Sequence, residues 1–145
     1  MQVDFYHLTR DPAEKLVPVL AQKTLDGGKR MLLVSSFVGQ LEKLSNALWR
    51  AGPSSFLAHG LAGNGQDEAQ PILISGDCQA ANGARYIALT DGEWRDEALA
   101  FDRAFYLFTA EQIDNARTAW RALSAKDDVT PRYWKQDGGR WVEGP

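Results

Sequence analysis

Arg30-Met31-Leu32-Leu33-Val34-Ser35 is an unbroken apolar run bounded by polar residues, with no alternation along it. A half-solvated strand would alternate, so this one is covered on both faces, as strands are in parallel sheets packed between helices. The segment before it fits that arrangement. Val3 to Leu8 reads as a short buried strand, and Asp11-Pro12-Ala13-Glu14 reads as a helix opening. Asp11 is the expected N-cap, Pro12 the first helical residue, and Glu14 stands three residues on from the cap. The helix runs to about Leu25 with Leu16, Val17, Leu20 and Thr24 on one side, and Asp26-Gly27-Gly28 closes it. Pro18 in its interior is expected to kink it or delay its regular start. Strand, helix and strand in this order require a right-handed crossover.

The alternation continues outward. A second helix over Val38 to Arg50 places Leu41, Leu44, Leu48 and Trp49 on one stripe, and Ala51-Gly52-Pro53-Ser54-Ser55 breaks it. Phe56-Leu57-Ala58-His59 is too short for more than a loop or a single turn, and Gly60 to Gln70 reads as a polar loop. Pro71 to Ser75 and Tyr86 to Leu89 are the next strands, and Phe105 to Phe108 is the last clear one. It leads into a helix from Ala110 to Ser124, with Glu111 near its positive end and Arg117 and Arg121 toward its negative end. From Thr130 the chain carries isolated aromatics and a Gly138-Gly139 turn. The pattern predicts one α/β sandwich over residues 1–145, with about five mostly parallel strands flanked by helices and residues 130–145 as an aromatic tail packed on it.

Composition narrows the function. A chain of 145 residues, 44% hydrophobic, is long enough to bury roughly 68–70% of its unfolded surface without staples. Its single cysteine, Cys78, rules out an internal disulfide. With no basic, apolar leader and no apolar run near the roughly 18–20 residues of a membrane span, a cytoplasmic location and no membrane contact are expected. The net charge of −3 argues against bulk electrostatic capture of phosphates, although residues 115–145 hold six Arg and Lys against four Asp and Glu.

Catalytic groups are hard to find. The loop Gly60-Leu61-Ala62-Gly63-Asn64-Gly65 lacks the Gly-Lys-Ser/Thr of a phosphate loop and the full dinucleotide fingerprint. His7, His59 and Cys78 are too far apart in sequence to read as a metal site, and Ser35-Ser36 lacks a nucleophile elbow. No catalytic residue, metal or cofactor is therefore expected.

What remains is a surface. Arg117, Arg121, Lys126, Arg132, Lys135 and Arg140 alternate with Trp120, Tyr133, Trp134 and Trp141. Arg117 and Arg121 are four apart and share a helix face with Trp120. The plain reading is a solvated helix face with Trp120, Tyr133, Trp134 and Trp141 as packing. The functional reading is a cleft for an acidic peptide, where arginine pairs carboxylates and a ring supplies the apolar wall. Trp49 and Phe56, straddling the Gly52-Pro53 break, form a second aromatic pair suited to a protein interface.

Phe5-Tyr6-His7-Leu8, Gly28-Lys29-Arg30, Ala47-Leu48-Trp49, Ser55-Phe56-Leu57-Ala58-His59 and Ala116-Arg117-x-x-Trp120-Arg121, in that order, resemble the chi subunit of bacterial DNA polymerase III. The resemblance implies a Rossmann-like three-layer α/β fold with neither nucleotide nor catalysis. It also implies a clamp-loader accessory subunit that pairs with the psi subunit and holds the acidic C-terminal tail of single-stranded DNA-binding protein, and so touches single-stranded DNA indirectly. On that pattern the tail-binding positions are Arg117, Trp120 and Arg121, joined by Lys126, and the psi-contacting aromatics are Trp49 and Phe56. Two positions depart from it. Ile113 stands where a basic residue is usual, which leaves the rim to Lys126 or Arg132, and Ala58 stands where Pro is usual.

Two other classes stay open on the sequence alone. A nucleotide-dependent enzyme would hold its ligand at the carboxyl ends of the strands, near Ser35 to Val38 and the Gly60 loop. A direct single-stranded DNA binder would use Trp134, Lys135, Arg140 and Trp141.

Overall fold

The computed structural model describes residues 1–51, 57–137 and 140–144. Eight strands and three α-helices follow one another as β1 (Gln2–Leu8), α1 (Ala13–Asp26), β2 (Met31–Val34), α2 (Val38–Trp49), β3 (His59–Leu61), β4 (Ile72–Ser75), β5 (Tyr86–Leu89), β6 (Arg103–Thr109), α3 (Ile113–Ser124), β7 (Thr130–Asp137) and β8 (Arg140–Glu143). All strands join one sheet in the order β3-β4-β2-β5-β6-β1-β7-β8. Every neighbouring pair is parallel except β7 with β8.

The run that decided the fold behaves as its composition requires, since Met31, Leu32, Leu33 and Val34 are all fully buried. Strand alternation sends Leu32 and Val34 to one face and Met31 and Leu33 to the other. On the first face, Val3, Phe5, Leu73, Ile87, Tyr106 and Phe108 pack with Ala116, Ala119 and Leu123 of α3. On the second, Tyr6, Leu8, Ile72, Ile74, Phe105 and Leu107 pack with the buried sides of α1 and α2. The sheet is thus covered by α3 on one side and by α1 and α2 on the other.

Three strands beyond the expected five are present, and each escaped the pattern for its own reason. β3 is a three-residue edge strand containing glycine. β7, Thr130-Pro-Arg-Tyr-Trp-Lys-Gln-Asp137, carries charge and a proline, and its residues are half-buried or exposed. β8 is an edge strand whose residues are mostly exposed. What reads as an aromatic tail packed on the domain is a parallel strand laid along β1 from Gln2↔Thr130 to His7↔Lys135, followed by an antiparallel return. The expected Gly138-Gly139 turn lies outside the described residues.

The helix termini also differ in detail. Pro12, not Asp11, is the N-cap of α1, and no side chain caps that end. Asp11 is drawn instead to the C-terminal strands, where its Oδ2 accepts a 3.0 Å hydrogen bond from Nε2 of Gln136. Helix α1 continues through Pro18 as a single element. In α2 only Leu44 and Leu48 are fully buried, and Trp49 is 61% exposed, so the apolar stripe stops short of it.

The sequence pattern starts the last helix at Ala110, but Ala110–Gln112 form a single 3-10 turn, closed by a capping box between Thr109 and Gln112, and α3 follows from Ile113. Nε2 of Gln112 donates to the Asp91 carbonyl oxygen at 2.8 Å, and the Tyr106 hydroxyl donates to the carbonyl oxygen of Gly92 at 2.7 Å. Gly92 has φ of 80°, and a Cβ there would fall 2.0 Å from the Gln112 side chain, so only glycine fits.

Candidate functional site

Helix α3 lies on the sheet through alanines, Ala116 and Ala119, which let it sit close and leave its longer side chains to either side. Along its flank toward β7 runs a groove of about 550 Å³. Phe5, Phe108, Ile113, Trp120 and Tyr133 make its apolar surface, and Arg117 and Lys135 are its two cations. Helical spacing brings Ile113, Arg117 and Trp120 to this flank. Strand alternation brings Tyr133 and Lys135 to the same side from β7.

The rings are held edge to face. Trp120 meets Phe5 at 5.1 Å and 72°, and Tyr133 at 6.4 Å and 83°. The Tyr133 hydroxyl lies 2.7 Å from Nδ1 of His7, whose ring stacks on Phe108 at 5.0 Å. Burial raises the Tyr133 hydroxyl pKa, and the nearby Arg117 guanidinium opposes that rise. Arg117 itself makes only a long 3.9 Å pair with Asp114, and both side chains are largely exposed. It is therefore available to an incoming carboxylate. A preformed apolar trough flanked by exposed cations suits a segment that combines acidic groups with a bulky apolar side chain.

Of the residues singled out in the sequence, Arg117 and Trp120 line this groove. Arg121 is exposed one helical turn farther along α3 and outside the lining, and Lys126 is exposed in the turn beyond the helix. Ile113 extends the apolar surface where a cation would otherwise stand. Lys135 was missed as a partner of Arg117, because a tail read as irregular gives no basis for assigning its side chains to faces.

Arg132 cannot supply the missing rim charge. Strand β7 turns it to the α1 face, where it forms a two-pronged pair with Glu143 at 2.5 and 2.6 Å and lies 5.1 Å over the Trp134 ring. Trp134 stacks on Tyr6, and Trp141 meets Tyr6 edge to face. Cross-strand pairing of Gln136 with Trp141 and Asp137 with Arg140 puts Trp134 and Trp141 on one face and Lys135 and Arg140 on the other. Those four residues therefore form no single DNA-binding surface.

Trp49 packs its ring 4.9 Å from His59, whose Nε2 lies 2.9 Å from the Ser45 hydroxyl. Phe56, its expected companion, lies outside the described residues. His7 and His59 are engaged in these separate contacts, and among the described residues no group of three His, Cys, Asp or Glu side chains is placed to hold a metal ion. No helix of the described residues is long and apolar enough to cross a membrane.

The carboxyl end of β2, where a nucleotide would dock, is occupied by a carboxylate. Asp91 accepts hydrogen bonds from the Ser36 N–H and hydroxyl at 2.9 and 3.0 Å and from Arg95 at 2.8 and 2.9 Å. A phosphate there would have to displace an anion that is already paired. Gln40 spans the same end, linking the Ser35 hydroxyl to the Thr90 carbonyl oxygen.

The family model described as DNA polymerase III chi subunit, HolC, matches residues 1–129. No curated protein matches the chain. The matched span covers well over half of the sequence, so the chain belongs to the DNA polymerase III chi-subunit family. Strands β7 and β8, and with them one wall of the groove, follow the matched span.

Proposed function

We propose, from this chain's membership of the chi-subunit family, that it is a non-catalytic accessory subunit of the replicative polymerase that acts in DNA replication by holding other proteins. The groove between α3 and β7 takes the acidic C-terminal tail of single-stranded DNA-binding protein. Arg117 pairs a tail carboxylate, with Arg121 alongside, and Trp120 and Tyr133 enclose the tail's apolar end. Trp49 at the end of α2, together with Phe56 as the family pattern implies, meets the psi subunit and so connects the tail-bound strand to the clamp loader. The observation that carries the reading is the apolar trough with Arg117 and Lys135 as its only charged lining among the described residues.

Charge-assisted hydrogen bonds of this kind contribute about 1.5–3 kcal/mol each when partly desolvated. Titration of a labelled tail peptide should therefore show Arg117→Ala/Arg121→Ala binding at least tenfold more weakly than wild type, with wild-type affinity falling as salt rises. Equal affinity of the two proteins would refute the assignment of the groove.

A further inference from the structure

Six of the ten C-terminal cation and aromatic residues lie outside the lining of the α3 groove. On the opposite face of the sheet, between α1 and the C-terminal strands, lies a separate cavity of about 460 Å³. Lys23, Lys29, Arg103 and Arg132 line it together with rings that include Tyr86 and Trp141, and no carboxylate is part of the lining among the described residues. In a chain with more acidic than basic residues, this is a local concentration of positive charge.

The four cations differ in what they already do. Nε of Arg103 donates at 2.7 Å to Asp4, which is fully buried, and Arg132 is held by Glu143. These two are fixed in place. Lys23 and Lys29 are exposed and make no ion pair among the described residues, so they can exchange counterions for an incoming anion. Tyr86 and Trp141 are half-buried, leaving part of each ring accessible beside the ammonium groups.

Flat rings interleaved with cations along a groove match a ligand that repeats a base and a phosphate. A peptide with a bulky apolar end is better served by the α3 groove, which has a more apolar lining and half as many cations. We propose that the α1-face groove is a second binding site, for single-stranded nucleic acid, in which Lys23 and Lys29 contact phosphates and Tyr86 and Trp141 serve as base platforms. Tail and strand would then occupy opposite faces of one sheet.

The test uses the intact chain and a labelled oligothymidylate of about 15 nucleotides. At about 50 mM salt the wild type should bind it, and Lys23→Glu/Lys29→Glu should weaken binding at least tenfold. The same double variant should lower the slope of log affinity against log salt by about 1.4, as expected for two lost phosphate contacts to a single strand. Its affinity for the acidic tail peptide should stay unchanged. Three results would each overturn the proposal: no oligonucleotide binding by the wild type, equal binding by the double variant, or displacement of the oligonucleotide by the tail peptide. Thymidine monophosphate should compete only at far higher concentration than the oligomer, and equal competition would overturn the strand as the ligand.

Discussion

The Tyr133 hydroxyl sits 2.7 Å from Nδ1 of His7, joining residues 126 positions apart. This contact fixes one wall of the α3 groove to the interior strand β1, and Tyr133 also touches Trp120 and Phe108. Its loss should be felt in binding as well as in stability. Tyr133→Phe keeps the ring and removes the hydroxyl, leaving Nδ1 of His7 without that partner; Nε2 of His7 is already buried without one. The expected cost is about 1–2 kcal/mol in denaturant unfolding, with tail affinity reduced only a few-fold because the ring remains.

Burial also lowers the His7 pKa below its ordinary value. A folded state that resists protonation loses stability once the unfolded chain begins to bind the proton. Stability should therefore be steady above the unfolded His pKa of about 6.5 and fall as pH drops from there toward the lowered folded value. His7→Gln should flatten that part of the profile, as read from denaturation midpoints at mildly alkaline and mildly acid pH. His59 is present in both proteins, so the difference isolates His7.

Asp91 governs a more acidic range. Burial works to raise its pKa, but hydrogen bonds from Arg95 and from the backbone N–H groups of Ser36 and Glu93 outweigh that and hold it below the usual carboxylate value. Its contribution is present above the unfolded pKa of about 3.9 and is lost as pH falls through the lower folded value. Asp91→Asn should be less stable than wild type at neutral pH, and the gap should narrow in strong acid. A constant gap would contradict the assignment.

Asp4 is fully buried and accepts hydrogen bonds from Arg103 at 2.7 Å, Trp134 Nε1 at 3.1 Å and Gln2 at 2.9 Å. Asp4→Ala would leave the Arg103 guanidinium and the indole N–H without that acceptor. A loss of about 2–3 kcal/mol is expected, below the full cost of breaking a buried pair because Arg103 is a third exposed. Calorimetry of the variant measures it, and tail binding should be retained.

Lys135 and Lys126 separate the sequence reading of the groove from the structural one. Lys135→Ala should weaken the tail peptide by roughly two- to fivefold, the usual size for one solvent-screened charge, and Lys126→Ala should leave it unchanged. Peptide titrations of both variants decide it, and the reverse order would place the tail farther along the helix.

Most of the fold was legible wherever burial was two-sided. β2, β4 and β5 are apolar throughout and bounded by turn residues, and α3 carried its period and charge order openly. β7 was not, because Arg132, Trp134 and Lys135 read as an irregular mixture until their alternation is referred to β1. The site was half legible for the same reason. Arg117 and Trp120 follow from helical spacing, but the wall they face is made by a strand whose pairing partner lies more than a hundred residues away. Lys126 was included for its charge and its nearness in sequence, neither of which fixes a position beyond a helix end.

β1 lies between β6 and β7, so it finds its hydrogen-bonding neighbours only in residues 103–109 and 130–137. During synthesis Val3, Phe5 and Tyr6 wait as unpaired apolar strand until β6 and β7, a hundred or more residues on, have been made. Such high contact order slows folding and exposes a sticky segment meanwhile. Both grooves take lining residues from β1 and from β7, Phe5 with Tyr133 and Lys135 on one face and Tyr6 with Arg132 and Trp134 on the other, so neither is complete until these strands pair. If the two proposed sites are right, the capacity to engage either ligand depends on the same pairing, the docking of β7 along β1.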